Sequence, residues 1–391
     1  MSNLNFNRVY NNTNNTKDQL KRENDVHHDQ HKETHEQSDS IPIICIIGPT
    51  AVGKTELSIR LAKTLNGEII NADAYQVYKY MDIGTAKPTV SEREGITHYL
   101  IDEYMPDETY NVAIFQQKAE HYIDLINSKG KVPIIVGGTG LYMKSLLYTF
   151  PLKQDEDEEL KERIRQQLAA LSNAELFEQL KSIDFEAAQT IHPNNRKRVI
   201  RAIEYMTIHG ESITNATKQT VLNDRYKPLL IGLNTDRDVL YDRINRRIDI
   251  MINDGLFSEV YSLYDQYKNS TSFQAIGYKE WTPFIKCIEE DGIIEQSISG
   301  LSSKLYKSNL SSQSNHYINK IVTDNFMLNN VLIELKQSII NQIKQNTRKF
   351  AKRQLTYFHN QFSVMWLDPF DEILYNKLIQ ESIEKFKKGE Y

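Results

Sequence analysis

The chain changes character at residue 41. Before it, Asn, Asp, Glu, Lys, Gln and His dominate and large aliphatic residues are scarce. Such a stretch cannot bury enough apolar surface to offset the entropy of ordering it, so residues 1–40 are expected to form a disordered polar tail. Within it, His27, His31 and His35 recur every fourth residue, a spacing that suits a metal but that a solvated tail also produces. Ile41–Ile47 is almost continuously apolar and ends at a glycine turn, the pattern of a strand buried on both faces. A helical period follows over Lys54–Leu65. Short apolar runs at Glu68–Ala72, His98–Ile101 and Val132–Val136 predict more strands, with a helix over Asn111–Asn127. Strands alternating with helices predict a parallel sheet covered on both faces. From Gln154 the strand signal stops. Residues 154–191 are rich in Glu, Lys, Gln, Leu and Ala and read as helices. Pro228–Leu233 returns as a strand. Asp236–Asn253 is an amphipathic helix with Leu240, Ile244, Ile248 and Met251 on one stripe. Residues 297–320 are rich in Ser and Asn and read as a poorly ordered insertion, after which helix resumes near Leu332 and runs past Phe358.

Composition narrows the classes. At ~150 residues per domain, a chain of 391 suggests two or three units. Hydrophobic residues at 40% and charged residues at 25% exclude a wholly disordered or collagen-like chain. No apolar run approaches the ~18–20 residues that span a bilayer, so an integral membrane protein is not expected. Cys45 and Cys287 are too few for a disulfide framework or a four-thiolate metal site. Without a signal-peptide pattern, the chain is expected in the reducing cytoplasm. A net charge of −5 neither announces nucleic acid nor excludes it, so local clustering matters more. One basic cluster is Arg196, Lys197, Arg198 and Arg201. The other is Arg348, Lys349, Lys352 and Arg353, followed by Tyr357 and Phe358. Cations interleaved with aromatics suit a phosphate backbone and stacked bases, and a solvated helix face is the plainer reading of either cluster alone.

Gly48-Pro49-Thr50-Ala51-Val52-Gly53-Lys54-Thr55 is a complete G-x-x-x-x-G-K-T between a predicted strand and a predicted helix. The glycines let backbone N–H groups turn inward around a phosphate, and the helix N-terminus adds partial positive charge. Lys54 would reach terminal phosphate oxygens and Thr55 would offer its hydroxyl to Mg²⁺. A nucleotide-hydrolysing switch would place an acid at the end of another apolar strand, but Val132–Val136 runs into Gly137, Gly138 and Thr139. Thr139 then opens a helix, either as a simple N-cap or with its hydroxyl facing the phosphate site. Asp73 follows a strand directly, where ligands of open parallel sheets bind. It is a candidate general base or a capping residue. The fold class is therefore α/β: a P-loop parallel-sheet core over 41–150, a mostly helical inserted lobe over 151–225, and a return to the core with C-terminal helices over 226–391, interrupted by the insertion near 290–335.

With these motifs in place the chain resembles the tRNA dimethylallyltransferases, the IPP transferase family. The resemblance is carried by Gly48–Thr55, then Asp73-Ala74-Tyr75-Gln76-Val77-Tyr78, Met81–Pro88 and Gly137-Gly138-Thr139-Gly140-Leu141-Tyr142. It continues in Ile191–Ala202, Gln274-Ala275-Ile276-Gly277-Tyr278-Lys279-Glu280 and Ala351–Phe358, in the family's order. It implies transfer of a dimethylallyl group from dimethylallyl diphosphate to N6 of adenosine 37, beside the anticodon, in tRNAs reading codons that begin with U. It also implies roles. The P-loop residues would bind the diphosphate, with Lys54 among the catalytic groups and Thr55 on Mg²⁺. Asp73 would take the proton from the adenine amine, and Thr139 would donate to the oxygen bridging prenyl carbon and diphosphate. The anticodon loop would meet Asp73, Ala74, Tyr75, Gln76, Thr139, Lys161, Lys197, Arg198, Val199, Ile200, Arg201, Gln274, Ala275, Ile276, Gly277, Tyr278, Lys279, Lys352, Arg353, Gln354 and Tyr357. A monomer is expected. Three departures stand out: Ala74 where the family has Ser, the extra tail, and the lengthened 290–335 stretch. Prenylation of a free adenine nucleotide, a small-molecule P-loop kinase and a nucleotide-switched RNA-binding module are the alternatives. The basic, aromatic C-terminal block favours tRNA.

Overall fold

The computed structural model describes residues 40–149, 158–214, 221–290 and 315–390. The tail with its three histidines and residues 291–314 of the insertion lie outside the described residues. Six parallel strands form one sheet in the order β3-β2-β4-β1-β5-β6: β1 Ile41–Ile47, β2 Gly67–Asn71, β3 His98–Tyr99, β4 Val132–Gly137, β5 Tyr226–Leu233 and β6 Met365–Leu367. β1 lies between β4 and β5, so both its edges are paired. Ile43 through Ile47 are wholly buried, which is why their pattern is continuous rather than alternating. Fully burying one such aliphatic side chain contributes ~1.5–3 kcal/mol.

Helix α1 (Lys54–Leu65) starts directly from the P-loop and stops at Asn66, whose left-handed backbone (φ 52°) returns its N–H to Ala62 O. Helix α2 (Val112–Ser128) is capped by Asn111, whose side chain accepts from the N–H groups of Ala113 and Ile114. Helix α3 (Gly140–Leu147) follows β4. Among the described residues the lobe then contains α4 (Glu158–Ala169), α5 (Asn173–Ile183), α6 (Phe185–Thr190) and α7 (Arg196–His209). They enclose their own core of Ile164, Leu168, Leu176, Leu180, Ala187, Val199, Ala202 and Ile203. The lobe leaves and rejoins the sheet through one neck, where Thr149 N–H donates to Val221 O at 2.8 Å. Helix α8 (Arg237–Asn253) buries Leu240, Ile244 and Ile248 as its stripe predicts, with Met251 half-buried beside them. α9 (Leu256–Tyr267), α10 (Thr282–Glu290), the long α11 (Asn315–Gln361) and α12 (Glu372–Lys388) complete the chain.

The α/β reading holds, with local differences. β3 is two residues rather than four, because Leu100 (φ 61°) and Asp102 (φ 58°) turn the backbone out of the extended region. Helix α11 begins at Asn315, well before Leu332. β6 was not foreseen, since three residues carry no readable period. Trp366 of this strand lays its ring on Gly232, where a Cβ would sit 2.8 Å from it.

Candidate active site

Three loops leave the carboxyl ends of three neighbouring strands, β2, β4 and β1. They carry Asp73, the Gly137–Thr139 turn and the P-loop. Asp73, Gly137 and Gly138, and the P-loop line one cavity of about 640 Å³. The P-loop turn depends on its glycines. Gly48 has φ 151° and a Cβ there would meet Leu233 O at 2.5 Å; Gly53, at φ 107°, starts α1. Val52 is fully buried and anchors the loop, while Thr50, Ala51, Gly53, Lys54 and Thr55 face the cavity. Lys54 Nζ donates to Pro49 O at 2.6 Å. Loss of water around its amine, with Arg247 nearby, lowers its pKa to about 7, against the opposing pull of Asp73.

Asp73 serves two ends at once. Its Oδ1 accepts the N–H groups of Tyr75 (2.9 Å) and Gln76 (3.3 Å), an Asx turn that fixes the carboxylate. Its other oxygen has no hydrogen-bond partner among the described residues. Gln76 is held in turn by Thr85 O and Ala86 O at 3.0 and 3.1 Å. Thr139 is the N-cap residue of α3, yet its side chain makes no capping hydrogen bond. The helix start at Thr139 is therefore not closed by its own hydroxyl. Gly137 sits so close to Ala72 O that a Cβ would come within 2.2 Å, which keeps the β4 exit against the Asp73 turn.

Sequence reasoning missed the cationic wall. Arg243, Arg246 and Arg247 of α8 line the same cavity. Arg243 Nε donates to Ala51 O at 2.9 Å and so holds the P-loop residue with φ 65°. Arg247 has no hydrogen bond or ion pair among the described residues. Burial pulls its pKa down, while Asp73 resists the shift. Glu92 and Glu94 also line the cavity, but Glu92 accepts from Thr89 and Glu94 is paired with Lys63. Arg-x-x-Arg-Arg at helical spacing, along one flank of the apolar stripe, was a visible signal. Only the packing of α8 beside the P-loop gave it a target.

Comparison with known proteins decides the family. The IPP transferase model matches residues 76–361. A tRNA dimethylallyltransferase of Macrococcus caseolyticus is 44% identical over 331 residues, covering 84% of this chain and 91% of that protein. The chain belongs to the IPP transferase family. A tRNA dimethylallyltransferase of Staphylococcus aureus is 43% identical, with 83% and 92% covered. Among solved structures, the tRNA delta(2)-isopentenylpyrophosphate transferase of Staphylococcus epidermidis is 40% identical, covers 88% of this chain and all of that one, and has a TM-score of 0.55. A eukaryotic dimethylallyltransferase structure, 24% identical, shares the fold with a TM-score of 0.63 over 90% of this chain and 85% of that one.

Within this IPP transferase the residues expected at tRNA divide sharply. Lys197, Arg198, Gln274, Lys279, Lys352 and Arg353 are exposed. Arg198 of the lobe acts on Tyr357 of α11 through its charge: the guanidinium opposes the burial that pushes the Tyr357 hydroxyl up to about 12. The Tyr357 ring covers Gly140, where a Cβ would meet it at 2.2 Å. Other expected residues point inward. Val199, Ala275 and Tyr278 are core, Ile200 packs on the lobe core, Ile276 packs on the main core, Gly277 is buried, and Lys161 is only 8% exposed. Ala74 and Tyr75 are half-buried against the main core. Arg201 lies 3.5 Å from buried Glu204. The basic clusters also contain structural cations. Arg196 closes the end of α4 by donating to Leu168 O, Ala169 O and Leu171 O, and Arg348 donates to Asn245 of α8 at 2.6 Å. No described helix is long and apolar enough to cross a membrane.

Proposed function

We propose that the chain transfers a dimethylallyl group from dimethylallyl diphosphate to N6 of adenosine 37 in tRNAs that read codons beginning with U. The observation that carries this reading is the cavity lined together by the phosphate loop, Asp73 and the Gly137-Gly138 turn that leads into Thr139, with no acid at the end of β4. The chemistry follows from the residues. The adenine amine attacks the allylic carbon, the carbon–oxygen bond breaks, and the electron pair leaves with diphosphate. Asp73 accepts the N6 proton. Lys54, Arg247 and the P-loop N–H groups bear the charge that develops on the leaving group, and Thr139 donates to its bridging oxygen.

Mg²⁺ fits the donor set. No group of three His, Cys, Asp or Glu among the described residues makes a protein cage, whereas the exposed Thr55 hydroxyl opens on the cavity. An ion that keeps its waters and shares phosphate oxygens suits one such ligand. When bound, it would neutralise charge on the departing diphosphate. The exposed cations of α7 and α11 would hold the anticodon arm, and adenosine 37 would have to leave its stack to enter.

The direct test combines purified protein, Mg²⁺, dimethylallyl diphosphate and unmodified tRNA with A37 beside A36. The digested tRNA should contain adenosine heavier by one five-carbon unit by mass spectrometry. Prenylated free AMP with untouched tRNA would select the nucleotide enzyme instead, and phosphorylation of a small molecule the kinase. Binding should also consume protons. With its pKa at about 7, Lys54 is largely neutral at pH 8, and an incoming diphosphate favours its charged form. Calorimetry at pH 8 in buffers of different ionisation enthalpy should show proton uptake that shrinks toward pH 6 and vanishes in Lys54→Met. Equal uptake in that variant would assign the proton elsewhere.

A further inference from the structure

Gln354 stands in the block expected to touch tRNA, yet it is only 6% exposed and both ends of its amide are engaged inside the protein. Its Oε1 accepts the Thr50 N–H at 2.9 Å, and its Nε2 donates to Gly138 O at 2.9 Å. Thr50 belongs to the P-loop after β1 and Gly138 to the turn before Thr139 after β4. These strands are direct neighbours, with Ile47 opposite Gly137. One planar amide therefore bridges the diphosphate loop and the Thr139 loop. Glutamine suits the task because it presents an acceptor and a donor together; a glutamate would have no donor for Gly138 O. Gly138 is part of the fit, since a Cβ there would sit 2.2 Å from Gln354 Nε2.

The helix face completes the argument. Phe350, Gln354 and Tyr357 recur at helical spacing on the inner side of α11: Phe350 lines the cavity and Tyr357 covers Gly140. Lys352, Arg353 and Thr356 lie on the exposed side. We propose that Gln354 is a positioning residue that clamps the P-loop to the Thr139 loop, so that tRNA held on the outer face of α11 strengthens diphosphate binding on its inner face. This inference rests on the diphosphate and tRNA assignments made above. Coupling of this kind is reciprocal, so diphosphate must tighten tRNA by the same factor.

The test is titration calorimetry of the full chain in Mg²⁺ with inorganic diphosphate, alone and with saturating unmodified tRNA. The wild-type protein should bind diphosphate at least ~5-fold tighter with tRNA present, the lower end of usual allosteric coupling. Gln354→Met keeps the bulk and removes both hydrogen bonds. It should bring that ratio near one while affinity for tRNA without diphosphate stays unchanged. Gly138→Ala should do the same by displacing an intact Gln354, and the two changes together should lose no more than either alone. It also carries the test by itself if the methionine variant does not fold. Undiminished coupling in the variants, absence of coupling in the wild type, or weakened binding of tRNA alone in Gln354→Met would each overturn the proposal. If the wild-type chain prenylates tRNA while the variants keep full coupling, only this inference falls. If it binds no diphosphate at all, the transferase reading falls with it.

Discussion

Asp73→Asn should lower kcat by about 10²–10⁴-fold, the usual contribution of a positioned general base, with unchanged melting temperature and unchanged tRNA affinity. The substitution is selective because the two carboxylate oxygens do different jobs. Oδ1 holds the turn through Tyr75 and Gln76, and an asparagine carbonyl can accept the same two N–H groups. What asparagine lacks is the anionic second oxygen. Asp73 also supports the charged form of Lys54, so its removal should push the Lys54 pKa lower and shift residual activity toward lower pH. Single-turnover rates across pH, with tRNA binding measured in parallel, check both statements. Near wild-type turnover would remove Asp73 from the reaction. Lost tRNA binding would make it a contact residue instead.

Lys54→Met should reduce kcat/KM by about 10²–10³-fold, comparable to the loss of one preorganised charge-stabilising donor. In the free protein its amine rests on Pro49 O, so the residue costs little to redirect when diphosphate enters. Methionine keeps most of the stem volume, and the buried Val52 anchor is untouched, so the P-loop should keep its shape. The loss should appear in turnover and in diphosphate affinity together, because the same charge meets the ground-state diphosphate and the larger charge of the leaving group. Steady-state kinetics with varied dimethylallyl diphosphate at saturating tRNA separates the two. A defect confined to KM would mean that Lys54 binds the substrate without assisting departure.

The site was partly legible before the fold was known. Gly48–Thr55 announces its own geometry, since the glycines, the lysine and the strand-to-helix setting are all local. Asp73 and Thr139 could be flagged because each directly follows an apolar strand. Whether Thr139 was a cap or a site residue was undecidable from sequence, since an N-cap and a free hydroxyl occupy the same position; the structure shows only that its side chain makes no capping hydrogen bond. Arg247 was overlooked because a lysine- and arginine-rich helix face is ordinarily solvated. Gln354 was read with its exposed neighbours, because a motif carries no record of which way each side chain turns.

What the sequence determined by itself is whatever depends on near neighbours. The wholly buried Ile43–Ile47 run of β1, the amphipathic α8 and the P-loop turn follow from the apolar period and the glycine positions within a few residues. β3 broke off where two residues took positive φ, and β6 went unseen, because short edge strands draw their stability from partners distant in sequence. Only the tertiary structure decided that β2, β4 and β1 are neighbours, which brings three separate loops to one cavity. It also decided that Arg243 and Gln354 reach the P-loop from far along the chain, 192 and 304 residues away. Long-range packing selects which face of each helix is buried, and a hydrogen bond between such distant residues leaves no periodic trace in the sequence.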